Sequence, residues 1–158
     1  MRSLHFAQEL VLKAPHSRVW SLFQDPQQLF ALVPGVRETR VVEDQRRYAA
    51  EVQESLGPFR VRFQLDIEIT GIEEGRSLAA RVSGKDALGS TLRQDLYVAL
   101  EATGEDETRI RMTTDVALMG KLAGLGASIV QRKAQSLMEA FAANIRAALE
   151  GTPDEQGV

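Results

Sequence analysis

Apolar and polar residues alternate along most of this chain, switching between the period of a strand and that of a helix. Leu4, Phe6, Leu10 and Leu12 share one face of a first strand, with Glu9 and Lys13 on the other. Ala14-Pro15 ends it, because proline cannot donate to a sheet ladder but suits the first turn of a helix. The period then becomes helical. His16 to Gln24 places Val19, Trp20 and Phe23 on one face, and Asp25-Pro26 reads as the cap and first residue of a second short helix through Leu32. Pro34-Gly35 closes the helix pair with a turn.

From Val36 the period returns to two. Val41 and Val42 mark a short strand, Asp44-Gln45-Arg46 a polar turn, and Tyr48, Ala50 and Val52 a strand running up to Gly57-Pro58. The clearest strand follows, where Val61, Phe63, Leu65, Ile67 and Ile69 alternate with Arg60, Arg62, Gln64, Asp66 and Glu68. Leu78, Ala80 and Val82 form the next inner face, then Leu92, Leu96, Val98 and Leu100, and last Ile110, Met112, Val116 and Leu118. Seven strands joined by short turns predict an antiparallel meander. The alternation is one-sided, so one face of the sheet is solvated and the other is covered.

Met119 to Gly126 (MGKLAGLG) breaks the alternation, and a helical pattern runs through Val130, Ala134, Leu137, Phe141 and Ile145 to Leu149. A helix of this length needs a large apolar surface to lie on. The expected object is an α+β domain, 1–150, in which a curved sheet grips the C-terminal helix; the polar stretch 151–158 is expected to be disordered. Sheet-facing positions of the helix are small at its start (Ala123, Gly126, Ala127) and large further on (Leu137, Met138, Phe141, Ile145), which predicts a plugged end and a roomy one. Leu122, Leu125 and Ile129 fall off this stripe and predict an apolar patch at the mouth, suited to a membrane surface, a partner or a mobile lid. Gly120, Gly124 and Gly126 each cost about 1 kcal/mol in a helix interior, so with Met119 this turn reads as an adjustable, hinge-like rim.

The inner faces carry polar residues where the period predicts apolar ones: Gln8, Gln94, Thr114 and, near a strand end, Glu54. Unpaired burial costs about 1–3 kcal/mol each. They therefore bond to one another, or they line a mostly apolar pocket and orient one polar group of its ligand. The expected lining is Gln8, Tyr48, Phe63, Leu65, Leu92, Gln94, Leu96, Met112 and Thr114 from the sheet, with Ala123, Ala127, Val130 and Ala134 from the helix.

Composition mainly excludes. The 158 residues carry 19 Lys plus Arg against 22 Asp plus Glu, a formal charge of -3 that favours no nucleic-acid partner. The absence of cysteine removes disulfides, thiolate metal sites and cysteine nucleophiles. No apolar run approaches the ~20 residues that cross a bilayer, and the N-terminus has no signal-peptide core; cytoplasmic location is the default expectation. Arg60, Arg62, Arg81, Arg93, Arg109 and Arg111, interleaved with Asp66, Glu68 and Asp95, fall on the outer face and predict cross-strand ion pairs. His5 and His16 have no carboxylate, nucleophile or metal-ligand partner at a meaningful spacing. Neither a metal nor a cofactor is expected.

The segments LVLKAPHSRVWSLFQDPQQLFALVPGV, SLGPFRVRFQLDIEI, VSGKDALGSTLRQDLYVAL and DVALMGKLAGLG together resemble the family of the carbon monoxide dehydrogenase G subunit. That family lies within the START and birch-pollen-allergen helix-grip superfamily. The resemblance implies a helix-grip fold with a hydrophobic cavity between sheet and C-terminal helix. It also implies a link to the maturation or membrane recruitment of molybdenum-containing hydroxylases, with quinone or lipid binding. It transfers no catalytic residue. Some members carry a long C-terminal extension for membrane association; here the short polar tail leaves transient contact through Leu122, Leu125 and Ile129 as the expectation, at the inner face of the membrane. Three roles follow: a non-enzymatic carrier of a hydrophobic small molecule, an adaptor docking on a hydroxylase complex, or a polyketide cyclase or dehydratase-like enzyme. The last would need acid–base groups inside the cavity, for which Glu54 and Tyr48 are the only candidates.

Overall fold

The computed structural model describes residues 3–150; the expected tail, 151–158, lies outside them. The elements follow in the order β1 (Ser3–Leu12), α1 (His16–Phe23), α2 (Pro26–Phe30), β2 (Val36–Glu43), β3 (Arg47–Leu56), β4 (Phe59–Glu73), β5 (Ser77–Lys85), β6 (Thr91–Gly104), β7 (Glu107–Met119), a 3-10 helix (Lys121–Leu125) and α3 (Ala127–Glu150). The strands form one sheet in the order β1-β7-β6-β5-β4-β3-β2, antiparallel at every pairing. Hairpins carry the chain from β2 to β7, while α1 and α2 carry it from one sheet edge, β1, to the other, β2. Register shifts at Ile69/Gly71 and Ala102/Gly104 insert bulges, which bend strands and help the sheet curve around α3. This is the helix-grip fold that the hydrophobic pattern and the resemblance predict.

Local chemistry sets the helix ends. The Asp25 carboxylate accepts the Gln28 backbone N–H at 3.3 Å, and Pro26 occupies the first turn, where its missing N–H costs nothing. α2 stops at Phe30, two residues before the predicted Leu32, because the chain tightens into successive turns: Leu32 N–H donates to Leu29 and Val33 N–H to Phe30. α3 begins at Ala127, a turn earlier than Val130.

The main core gathers Leu10 and Leu12 of β1, Val19 and Phe23 of α1, Leu29 of α2, Leu78, Ile110, and Ile145 and Leu149 of α3. Thr108, fully buried there, donates its hydroxyl to the Ala14 carbonyl at 2.8 Å. The C-terminal half of α3 is thus the plug, through Ala142, Ile145 and Leu149. Leu137, Met138 and Phe141, expected to share that role, are only half-buried. On the outer face cross-strand pairs form, Arg81 with the expected Asp95 at 3.1 Å and Arg109 with Glu101, a partner the pattern did not single out, at 3.1 Å. Exposed pairs of this kind contribute little each.

Candidate functional site

Leu137, Met138 and Phe141 stay half-buried because they face empty space. Between α3 and the inner face of the sheet lies a cavity of about 250 Å³. Phe63 and Leu65 of β4, Leu92, Gln94 and Leu96 of β6, and Met112 and Thr114 of β7 form its floor. Ala134, Leu137, Met138 and Phe141 form its roof, and Leu29, Phe30, Val33 and Pro34 close one side. Period two aims alternate side chains of each strand inward, and the start of α3 supplies the small Ala134 where bulk would fill the space.

Gln94 and Thr114 are the two polar side chains in this lining, on neighbouring strands. The Gln94 amide Nε2 donates to the Thr114 hydroxyl at 3.0 Å. The two residues therefore bond to each other, and they do so at the cavity wall. The pair keeps capacity for more, since Gln94 has a carbonyl oxygen and a second amide hydrogen and Thr114 can still donate.

The remaining predicted residues go elsewhere. Gln8 lies on β1 opposite Met112 and does not line the cavity. Ala123, Ala127 and Val130 border a separate open groove of about 540 Å³, with Leu4, Leu118, Met119, Gly120 and Gly126. Ala123, Gly126 and Ala127 are solvent-exposed there, not pressed on the sheet. Val116 borders both groove and cavity, and Val130 and Ala134 are one helical turn apart, so the two spaces adjoin.

The predicted apolar patch is an inward packing surface instead. Leu122 is fully buried against Leu56, Val61 and Phe63, and Leu125 and Ile129 are half-buried on the same cluster, beside the β3–β4 turn at Gly57. The cause is the backbone. Gly120 (φ 91°) and Gly126 (φ 94°) turn the chain sharply at both ends of the 3-10 helix, which swings Leu122 under it. The turn is also pinned at two points. Leu122 N–H donates to the buried Ser90 hydroxyl at 3.2 Å, and Gly120 lies directly on the Gly89 carbonyl. Gly124 has no close neighbour.

Tyr48 and Glu54 do not meet in the cavity. The buried Tyr48 hydroxyl accepts the Gln45 N–H at 2.9 Å, and its ring stands edge-on to Phe30 at 5.7 Å. Burial pushes this hydroxyl above its usual pKa, against the opposing pull of the Gln45 hydrogen bond. Glu54 pairs with Lys133 of α3 at 2.5 Å. The acid–base pair that the enzyme reading required is therefore not assembled from these two residues. His5 does have a carboxylate partner, Asp115 across the β1–β7 ladder at 2.8 Å, on the exposed face. Sequence spacing could not show a partner so distant in the chain. It also missed the cavity's side wall, because Pro34 reads only as a turn with Gly35 and nothing marks it or Val33 as facing inward.

The fold has many solved counterparts. A conserved protein from Geobacillus kaustophilus superposes with a TM-score of 0.84 at 20% identity, covering 93% of this chain and 95% of that one. A START superfamily protein from Mycobacterium smegmatis gives 0.72 at 12% identity over 92% and 97% of the two chains. The Zhui aromatase/cyclase from a Streptomyces species gives 0.63 at 11% identity over 92% and 95%. At these identities the likeness is one of fold. Among curated proteins none matches. The sequence model of the carbon monoxide dehydrogenase G subunit (CoxG) matches residues 9–150, nearly every described position, and the chain belongs to that family.

Proposed function

We propose that this protein is a non-enzymatic binder or carrier of a hydrophobic, lipid- or quinone-like small molecule, serving as an accessory factor to a molybdenum hydroxylase of the carbon monoxide dehydrogenase type. The observation that carries the reading is the apolar cavity under α3, walled by aliphatic and aromatic side chains and marked by one polar pair. Such concave, mostly apolar sites with few convergent polar groups are the usual form of small-molecule sites. Family membership supports the hydroxylase setting. The open groove beside Met119 adjoins the cavity and offers the place where cargo would pass to a partner or a membrane surface. No described helix is long and apolar enough to cross a membrane.

Solvent extraction of the purified protein followed by mass spectrometry tests the proposal, together with titration by quinones and by an uncharged solvatochromic dye such as Nile red. A bound apolar species, and dye binding lost in the cavity-filling variant Ala134→Trp with the fold intact, is the expected result. A protein that retains nothing, and whose dye affinity ignores Ala134→Trp, would sink the carrier reading.

A further inference from the structure

Among the described residues, none that lines the cavity is charged. Its lining includes neither a basic nor an acidic side chain, and its polar groups are Gln94 and Thr114. Charged neighbours of these residues are turned away or occupied. Arg93 and Asp95 flank Gln94 on the outer face, where Asp95 is bonded to Arg81. Asp115, next to Thr114, is bonded to His5. On the helix side Lys133, adjacent to Ala134, is taken by Glu54. The Tyr48 hydroxyl is bonded to Gln45.

Resting on the carrier reading, we infer that the site selects an uncharged amphiphile whose hydroxyl or carbonyl sits on the Gln94–Thr114 pair, and that it rejects carboxylates. An amide hydrogen, an amide oxygen and a hydroxyl can together satisfy one neutral polar head, either donor or acceptor. An ionised carboxylate would lose its hydration with no cation to replace it, a cost so large that the group binds only by taking up a proton. A carboxylic acid of ordinary pKa, about 4, is protonated to about one part in 10⁴ at pH 8. Its apparent affinity should fall by about the same factor.

Displacement of bound Nile red by decanol and by decanoate, each below its self-association limit, tests the inference. At pH 8 decanol should displace the dye while decanoate is at least about 10³-fold weaker. The decanoate affinity should rise about tenfold for each pH unit down to pH 5, while that of decanol stays flat. Gln94→Leu should weaken decanol about tenfold, the loss of one good hydrogen bond, and leave decane unaffected. Equal displacement by decanoate and decanol at pH 8, or a Gln94→Leu protein that binds decanol as before, would overturn the selectivity while leaving the carrier reading standing. Failure of Nile red itself to bind would overturn both.

Discussion

Lys133 on the first turns of α3 and Glu54 on β3 meet at 2.5 Å, with side chains only 29% and 21% exposed. This contact ties the open end of the helix to the far part of the sheet, whereas the closed end is held by packing. Glu54, a candidate acid on sequence grounds, is thus a structural strut. Lys133→Met leaves a mostly buried carboxylate without its partner and should destabilise the fold by about 1–3 kcal/mol. The double variant Lys133→Met/Glu54→Gln should recover part of that loss. Urea denaturation of all four proteins in a double-mutant cycle measures it, and a coupling energy near zero would show that the pair is no strut.

Packing along α3 is graded, and two substitutions should separate its parts. Ile145 is fully buried in the main core, whereas Phe141, one turn earlier, is half-buried and faces the cavity. Ile145→Ala should cost about 2–5 kcal/mol. Phe141→Ala, often a change of about 3–5 kcal/mol in a filled core, should cost less than about 2 kcal/mol here, because the ring already lacks neighbours on one side. Phe141→Ala should also admit a bulkier dye. Equal costs for the two would mean that the space beside Phe141 is filled.

Why the strands were legible and the rim was not follows from where the information sits. Val61, Phe63, Leu65 and Ile67 announce their face by period two, a local property that any sheet partner must respect. Gln94 and Thr114 announced themselves as polar residues on an apolar face, and they are the pair the structure brings together. Leu122 carried no such local sign. Its burial depends on two positive-φ glycines and on Ser90 of the β5–β6 turn, contacts set by the tertiary fold. Ala123 and Ala127 were misplaced for the same reason, since a helical wheel continued through Gly126 assumes a helix that is in fact interrupted.

The glycines of that interrupted segment should differ sharply when replaced. Gly120 sits at φ 91°, and a Cβ there would lie 2.7 Å from the Gly89 carbonyl oxygen and 2.9 Å from Ser90 Cα. Both neighbours are backbone and cannot swing aside. Gly120→Ala should therefore cost more than about 1–3 kcal/mol, since strain and a close contact add. A Cβ on Gly124 would meet nothing within 4 Å, so Gly124→Ala should be neutral or stabilise by about 0.4–1 kcal/mol through the unfolded chain. Thermal melts of both variants decide it, and a tolerated Gly120→Ala would refute the pinned turn.

Alkaline stability should depend on Tyr48. Burial raises its pKa in the folded protein above the ordinary value of 10.0. The neutral phenol is the form the fold favours, so its contribution is complete below pH 10 and is lost as the pH climbs through the raised folded-state value. Tyr48→Phe gives up the hydroxyl that accepts the Gln45 N–H, a loss of about 1 kcal/mol at pH 7. Phenylalanine cannot ionise, however, so the variant should lose less stability than the parent between pH 8 and about pH 11. Urea midpoints across this range measure the difference, with the two curves expected to converge as the pH rises. Parallel curves would mean that the Tyr48 hydroxyl ionises in place without opposing the fold.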